Sequence, residues 1–317
     1  MRSLARLAAF FPFLLQAHAA GAQTAVPPAP AANGAASATA IGPIDTLTPL
    51  ERLWKEPEGV GFLPYRQSYL MVTQTSSPDD APTSGNPVNN VPYSYNLQHT
   101  EVKFEFSLKA MVVASAGKHN SLWFAYTQQS YWQALDAAHS RPFIESNYEP
   151  ELIFSHRFGD TVAAAPGFQP FFINLAAVHQ SNGQSDPRSR SWNRLTAQLG
   201  LVNRLSASES LTVLIRPWYR IRETPADDNN PDITHYLGHG DIEALYWNGD
   251  NTLSLLARIR SVQADFSTPL PLINQGEAKK NALQFHVQLF TGYGESLIDY
   301  RQRHTSLGLG VSIPYGL

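Results

Sequence analysis

Hydrophobic and polar residues alternate one by one along most of the chain from about residue 60 onward. In ALQFHVQLF (282–290), Leu283, Phe285, Val287 and Leu289 share one face, while glutamine and histidine occupy the other. SLGLGVSIP (306–314) repeats the pattern, with leucine, valine and isoleucine alternating with serine and glycine. Because successive side chains of a strand point to opposite faces, this period of two predicts half-buried β-strands.

The lengths and charges of these strands distinguish between two sheet architectures. A soluble β-sandwich would turn its apolar faces inward, but several predicted strands are about ten residues long, beyond the usual length. The polar faces also carry arginines in rows, at positions 216, 220, 222, 258 and 260. These arginines need carboxylate partners such as Asp241 and Glu243. A membrane barrel with an apolar exterior and a polar interior supplies them.

The predicted connections between strands alternate in length. Short candidates are 115–120, 248–251 and 292–295, and long candidates are 74–99, 135–147, 224–235 and 263–279. Short turns at one rim and long loops at the other are typical of outer-membrane barrels. The sequence therefore predicts an all-β fold, an antiparallel transmembrane β-barrel of about 12 strands over residues 48–317. Pro217 does not fit, because a proline inside a strand removes a ladder donor.

Composition describes the N-terminal region and excludes some classes of protein. Residues 1–22 carry arginines, then an apolar run, then small residues, which predicts a secretory signal peptide. Residues 23–47 are rich in alanine and proline and predict a flexible tether, followed by a short helix over 48–57. The absence of cysteine excludes a disulfide framework, and the net charge of −3 gives no attraction for nucleic acid.

Candidate catalytic residues lie in HQSNGQSDPRSRSWNR (179–194). Strand alternation places His179, Ser181 and Asn193 on the apolar faces of two strands, which in a barrel face lipid. Polar groups there are costly and tend to be functional. If the strands pair around a loop near residue 186, His179 lies opposite Asn193. Ser181 would then be a nucleophile, His179 its base and Asn193 the orienting acceptor. A rim loop of ordinary polar residues is the alternative.

The segment between these residues offers groups that stabilise negative charge. Gly183 has an unhindered backbone N–H, suited to an oxyanion. The stretch GQSDPRS contains carbonyls, hydroxyls and a carboxylate, which suit a hard cation such as Ca²⁺.

The block from His179 to Arg194 resembles the signature of the outer-membrane phospholipase A family. Four more segments, YTQQSYWQ (126–133), SNYEPEL (146–152), RPWY (216–219) and NNPDITHY (229–236), resemble its other landmarks in the same order. The resemblance covers about residues 60–317. It implies a twelve-stranded barrel of the bacterial outer membrane, with its active site on the outer wall toward the outer leaflet. The implied reaction is Ca²⁺-dependent hydrolysis of phospholipid and lysophospholipid acyl esters at either position.

The resemblance also assigns individual residues. It implies Ser181 as nucleophile, His179 as base and Asn193 as orienter, with the Gly183 N–H at the oxyanion. Calcium would be held by the Ser189 hydroxyl and the Gln184 carbonyl, completed by the Ser140 carbonyl of a second copy. The family is active as a homodimer and rests as a monomer, and Gln128 matches a glutamine at the dimer interface. Asn229 stands at or near a calcium-binding aspartate of the family, and Asp228 is the candidate replacement.

Two other functions share this fold. A non-enzymatic porin or passive transporter predicts conductance and no ester turnover, and a structural or adhesive barrel would act through its long outer loops. Neither explains polar groups facing hydrocarbon. His156 and His286 have no spaced partners and are expected to pack rather than bind metal. Trp132 and Trp192 are expected in an aromatic girdle, with dimer contacts as the alternative.

Overall fold

A computed structural model describes residues 61–115, 119–159, 167–206, 208–270 and 283–314. The predicted signal peptide (1–22), tether (23–47) and short helix (48–57) lie outside these residues. Across the described ranges, no helix is both long enough and apolar enough to cross a membrane.

Long antiparallel strands make up most of the described chain. The strands are β1 (Phe62–Pro64), β2 (Tyr69–Thr75), β3 (Thr100–Ala114), β4 (Asn120–Trp132), β5 (Phe143–Arg157), β6 (Gln169–Ser181), β7 (Ser191–Arg204), β8 (Glu209–Ile221), β9 (Gly240–Asn248), β10 (Asn251–Arg258), β11 (Ser261–Pro269), β12 (Gln284–Gly292) and β13 (His304–Ser312). A 3₁₀ turn, η1 (Pro87–Asn89), and a short helix, α1 (Ile233–Leu237), lie in two of the loops.

The strands close into a barrel with twelve positions. From β2 to β13 each strand pairs with its neighbours in the chain, and β13 pairs with β2 to close the ring. β1 pairs with β3 at 108–110, beyond the part of β3 that pairs with β2. β1 and β2 therefore occupy one position as an interrupted strand. The predicted antiparallel barrel of about 12 strands is confirmed.

The barrel is apolar outside and polar inside. On β12, Phe285 and Leu289 are exposed, whereas Gln284, His286 and Gln288 are buried in the interior. Apolar side chains on the other strands, such as Leu70, Leu175 and Leu307, are likewise about half exposed. A hydrocarbon exterior would bury these groups, so the outer wall matches the lipid-facing surface of a membrane barrel.

Ion pairs cross the interior and compensate its buried charges. Arg66 lies 2.6 Å from both Glu149 and Glu151, because the interruption between β1 and β2 turns its side chain into the barrel. Arg216 binds Asp241 at 2.7 Å, as the sequence predicted.

Other arginines of the predicted rows lie elsewhere. Arg220 and Arg260 are at the loop rim, where they contact Asp228 and the Tyr236 ring rather than interior carboxylates. Arg220 lies one residue before the end of β8 and Arg260 lies in the turn after β10, so both are placed next to loop residues. Glu243 accepts a hydrogen bond from Ser254 at 2.8 Å.

Most long connections lie at one rim, at 76–99, 133–142, 182–190, 222–239 and 293–303. The predicted long loop at 263–279 begins too early, because 263–269 lie in β11, which follows a two-residue turn at 259–260, and 271–279 lie outside the described residues. Gln263, Asp265 and Ser267 face the interior, and these polar residues resembled a loop. The predicted short turn at 292–295 is also wrong. Gly292 and Gly294 do have positive φ, but they open the long loop 293–303.

Pro217 fits the barrel because the ladder is open beside it. The β7–β8 register includes Thr196 with Trp218 and Leu199 with Ile215, but no pairs for the residues between. The missing N–H of Pro217 therefore falls where no ladder bond is made on that side. On the other side Pro217 pairs with Gly240 of β9.

Trp192 does not belong to an outer girdle. Its side chain is buried inside the barrel near the loop rim, in an apolar cluster with Trp218, Ile233, Leu237, Leu297 and Tyr300. The same alternation that turns Asn193 outward turns its neighbour Trp192 inward. His286 is also interior, stacked on Tyr69 and within 2.9 Å of the Ser267 hydroxyl, as expected for a packed histidine.

Arg66→Met should strongly destabilise the barrel, because it removes the cation that contacts the buried Glu151 and one of the two cations that contact the buried Glu149. Removing one partner of a buried ion pair costs about 3–5 kcal/mol, and here two pairs are lost. The urea midpoint of the barrel refolded in detergent micelles would measure the loss. Arg260→Met at the rim is the control and should leave the midpoint nearly unchanged. Equal midpoints for both variants would contradict an interior held by these pairs.

Candidate active site

His179 and Asn193 face each other on the outer wall of the barrel. They are directly opposite in the register between β6 and β7. The Asn193 amide oxygen lies 2.8 Å from Nδ1 of His179, so Nδ1 carries the hydrogen and donates it. Nε2 is then the ring nitrogen able to accept a proton from a hydroxyl.

Ser181 follows two residues after His179 on the same face of β6. It lies opposite Ser191 at the start of β7 and is half-buried. Within the part of the chain that the structure describes, Ser181 and His179 share no hydrogen bond. Such contacts are often long without substrate and shorten when it binds. The structure thus brings two of the three predicted residues into contact and places the third beside them.

The surroundings of this site are apolar and open sideways. A shallow depression of about 310 Å³ around His179 and Asn193 is lined by Phe124, Leu152 and Ile221 among others. These side chains belong to the outer wall. A substrate with hydrocarbon tails could therefore reach His179 from the lipid layer without entering the barrel.

The loop 182–190 between β6 and β7 is held by two buried side chains. Asn182 donates to the Arg188 carbonyl at 2.8 Å and to Glu145 at 3.2 Å, and its amide oxygen accepts from the Arg190 N–H at 2.9 Å. The Arg190 guanidinium donates to the carbonyls of Pro187, Ser189 and Asn89. The conformation of the loop is therefore fixed by these two buried side chains, so the other side chains of the loop are not needed to hold it.

Gly183 adopts a left-handed conformation, with φ of +63°. A side chain there would also approach the Tyr148 ring to 3.2 Å. Glycine is thus required at the residue that carries the predicted oxyanion N–H.

Sequence comparison identifies the family of this chain. A family model described as "Phospholipase A1" matches residues 51–313. The chain belongs to the phospholipase A1 family. The phospholipase A1 of Escherichia coli K12 is 32% identical over 255 residues, 79% of this chain and 80% of that protein. That of Klebsiella pneumoniae is 33% identical over 255 residues, covering 79% and 81%.

Solved structures of phospholipase A1 relatives have the same barrel. The outer membrane phospholipase A of E. coli matches with a TM-score of 0.66 at 32% identity, covering 80% of this chain and 94% of that one. The Salmonella typhi outer membrane phospholipase, a dimer with bound calcium, matches with a TM-score of 0.68 at 31% identity, covering 83% and 96%.

The donor set in the loop of this phospholipase A1 homologue suits a hard cation. Ser189 contributes a hydroxyl and Gln184 a backbone carbonyl, and both are oxygen ligands of the kind that Ca²⁺ prefers. The Ser189 hydroxyl accepts from the Asn229 amide at 2.8 Å, which orients it and leaves a second lone pair. Ca²⁺ takes roughly six to eight oxygens, so the loop alone is incomplete and needs waters and further ligands.

The other predicted calcium ligands are placed differently. The Asp228 carboxylate binds Arg220 at 2.7 Å, so Asn229, rather than Asp228, contacts the loop. Ser140 lies exposed in loop 133–142 with φ of +62°. In the described ranges no cluster of three or more histidines and acidic residues could hold a metal. The roles of Ser140 and Asp228 stay predictions.

Gln128 lies on the outer face of β4, as predicted. Its amide oxygen accepts from the Tyr126 hydroxyl at 3.0 Å, and its nitrogen donates to Ser130 at 3.1 Å. The Gln128 amide and the Tyr126 hydroxyl are thus polar groups among the apolar side chains of the outer wall.

Sequence reasoning missed three residues that support the site. Asn182 and Arg190 lie inside the quoted signature, but only the structure shows that they are buried and aimed at loop carbonyls. Glu223, two residues beyond β8, accepts from the Asn193 amide nitrogen at 2.8 Å. Glu223 could have been predicted if the pairing of Asn193 with Ile221 had been inferred. Glu223 lies two residues after Ile221 and therefore on the same face of the strand.

Asn182→Ala should expose loop 182–190 to protease. The change removes four hydrogen bonds, and an unmade buried hydrogen bond costs about 1–3 kcal/mol. Tryptic cleavage after Arg188 should accelerate at least tenfold, measured by mass spectrometry on the refolded protein. Asn251→Ala at the opposite rim is the control. Cleavage of Asn182→Ala at the wild-type rate would mean that Arg190 alone holds the loop.

Proposed function

We propose that this chain is a calcium-dependent serine acyl hydrolase of the bacterial outer membrane. Its substrates are phospholipids and lysophospholipids, cleaved at the sn-1 and sn-2 acyl esters. The observation that carries the proposal is the His179–Asn193 hydrogen bond on a lipid-facing wall, beside Ser181. Membership of the phospholipase A1 family supports the chemistry, and the names of the E. coli and S. typhi relatives support the location.

The reaction follows from the three side chains. The Ser181 hydroxyl attacks the ester carbonyl while Nε2 of His179 accepts its proton. The Gly183 N–H donates to the oxyanion that forms. As the intermediate collapses, His179 returns the proton to the leaving lysophospholipid alcohol, and the fatty acid stays esterified to Ser181. Water activated by His179 then releases the fatty acid and restores the serine.

Calcium is proposed at the loop between Ser181 and Asn193. The Ser189 hydroxyl and the Gln184 carbonyl would hold it, with the Ser140 carbonyl of a second copy and with Asp228 as a further candidate in a single copy. When bound, the cation supplies positive charge close to the oxyanion. A relative that is a dimer with bound calcium supports this assignment.

Dimerisation is proposed as the switch, with an active homodimer and a resting monomer. The loop of one chain offers too few oxygens for Ca²⁺, so a second copy would complete the site. The surface around Gln128 on β4 is the proposed interface. Activity would then follow the appearance of phospholipid in the outer leaflet, toward which the site is proposed to face.

The barrel interior gives the porin alternative less support. The interior cavity lined by Arg66, Glu149 and Arg194 has a volume of only about 160 Å³. The apolar cluster around Trp192 lies near the loop rim. A pore would need a continuous aqueous path, whereas these side chains fill the interior.

Ser181→Ala should abolish calcium-dependent fatty-acid release from phospholipid micelles. The loss should exceed a thousandfold, because the nucleophile of the acyl transfer is removed. Refolded wild type, with calcium and with chelator, sets the comparison. Ser185→Ala removes an exposed hydroxyl from the same loop and should retain activity. Calcium-dependent release by Ser181→Ala would overturn the proposed nucleophile.

Gln128→Leu should weaken dimerisation, because a glutamine in hydrocarbon gains from a partner amide that leucine cannot supply. Such contacts contribute about 0.6–2 kcal/mol in membranes, so the dimer dissociation constant should rise roughly three- to thirtyfold. Sedimentation equilibrium in detergent with calcium would measure it. Asn203→Leu, near the far end of β7, is the control. Unchanged association of Gln128→Leu would reject the interface.

A further inference from the structure

Glu223 extends the hydrogen-bonded row on the outer wall by one residue. The row runs from His179 through the Asn193 amide to the Glu223 carboxylate, with 2.8 Å at each contact. The arrangement follows from the register, since Asn193 pairs with Ile221 and Glu223 lies two residues further along. Glu223 is half-buried in loop 222–239, beyond the end of β8.

A carboxylate at this place decides how the Asn193 amide is oriented. An ionised carboxylate only accepts hydrogen bonds, so the amide must turn its nitrogen toward Glu223. Its oxygen then faces His179 and selects the ring form with hydrogen on Nδ1. The opposite amide orientation would present N–H groups to Nδ1 and place the hydrogen on Nε2, the nitrogen that must accept the Ser181 proton.

The same carboxylate supplies a negative charge that asparagine lacks. Asn193 can orient the imidazole but cannot offset the positive charge that His179 gains during the reaction. Hydrogen bonds to charged groups are roughly twice as strong as those between neutral groups. The negative charge of Glu223 polarises the Asn193 amide. The polarised amide therefore stabilises protonated His179 more than an amide without the carboxylate would.

We propose that Glu223 is a positioning residue of the active site, which orients Asn193 and supplies through it the negative charge for His179. This inference rests on the proposed function of Ser181, His179 and Asn193. Glu223 does not touch the reacting atoms and acts only through Asn193.

The groups facing Glu223 are consistent with this role. Arg220 donates to Asp228 at 2.7 Å and to the Pro231 carbonyl at 2.8 Å. Its guanidinium is therefore bound by these two acceptors, and Glu223 remains available to the Asn193 amide. Burial and the nearby Asp228 carboxylate raise the pKa of Glu223 above its usual range. The hydrogen bond from Asn193, together with the positive charges of Arg220 and protonated His179, opposes that shift.

Glu223→Gln is the central test, because it keeps an acceptor and the side-chain shape while removing the charge. We expect kcat for fatty-acid release to fall about five- to tenfold with KM little changed, since binding of the lipid does not involve Glu223. The acid limb of the kcat/KM profile should move to lower pH, because a negative charge near the imidazole is removed. Glu223→Asp should recover part of the rate.

Two comparisons distinguish a role of Glu223 that acts through Asn193 from a nonspecific effect of removing a charge from the loop. In an Asn193→Ala background, which we expect to be partly active, Glu223→Gln should have no further effect, because the connecting amide is gone. Asp227→Asn removes an exposed charge from the same loop, whose carboxylate is bonded to Thr224, and should leave both kcat and the pH profile unchanged.

The outcomes distinguish this inference from the proposed function. Wild-type kcat and pH profile in Glu223→Gln, with Ser181→Ala inactive, would overturn the role of Glu223 alone. An equal loss from Glu223→Gln with and without Asn193 would also overturn it. An active Ser181→Ala would overturn the proposed function itself.

Discussion

The register between β6 and β7 is the constraint on which the site depends. His179 and Asn193 meet because they are directly opposite in this ladder, and both point out of the barrel. A slip of one residue would turn one strand over and send its polar group into the interior. The interior fixes the register in turn. On β7, Arg194 must reach Glu149, at 3.0 Å, and Trp192 must pack on Trp218. Interior packing thus positions an exterior site.

The placement of charge along the proposed row follows the polarity of its surroundings. A charged side chain on the lipid face costs about 2–4 kcal/mol near the membrane midplane for a cation and less for a carboxylate, and little near the rim. A neutral amide therefore occupies the strand position at Asn193. The carboxylate of Glu223 lies in the loop, two residues beyond the end of β8. The row can carry a negative charge while keeping that charge off the strands themselves.

The sequence determined the fold class and the facing of the site because both depend on alternation. The alternation of apolar and polar residues in each strand indicates which side chains point outward, so His179, Ser181 and Asn193 could be assigned to the lipid side without coordinates. The same signal failed at β11, where inward polar residues resembled a loop. The girdle prediction for Trp192 was wrong for a different reason, because it rested on the aromatic side chain and not on alternation, which pointed that side chain inward. Alternation was the better guide there.

Contacts between segments far apart in the chain could not be predicted in this way. Glu223 lies thirty residues from its partner Asn193, and Asn182, just after β6, contacts Glu145 on the neighbouring strand β5. Such contacts depend on register and on loop conformation, which a single sequence does not specify. The ends of the arginine rows show the same limit. Arg216 is inside the barrel and Arg220 is at the rim, although they lie on the same face of β8 and only two periods of alternation separate them.

The two-residue turn between β10 and β11 makes the loop rim uneven. Around the ring, β10 and β11 lie opposite β4 and β5, and the longer loops flank the half that contains His179 and Gln128. The rim therefore carries little chain beside β10 and β11 and more chain beside β4 and β5. A molecule that approaches next to β10 and β11 meets the two exposed residues of the turn 259–260, whereas one that approaches next to β4 and β5 meets loop 133–142. A neighbouring molecule in the membrane thus encounters two different profiles, depending on the direction of its approach.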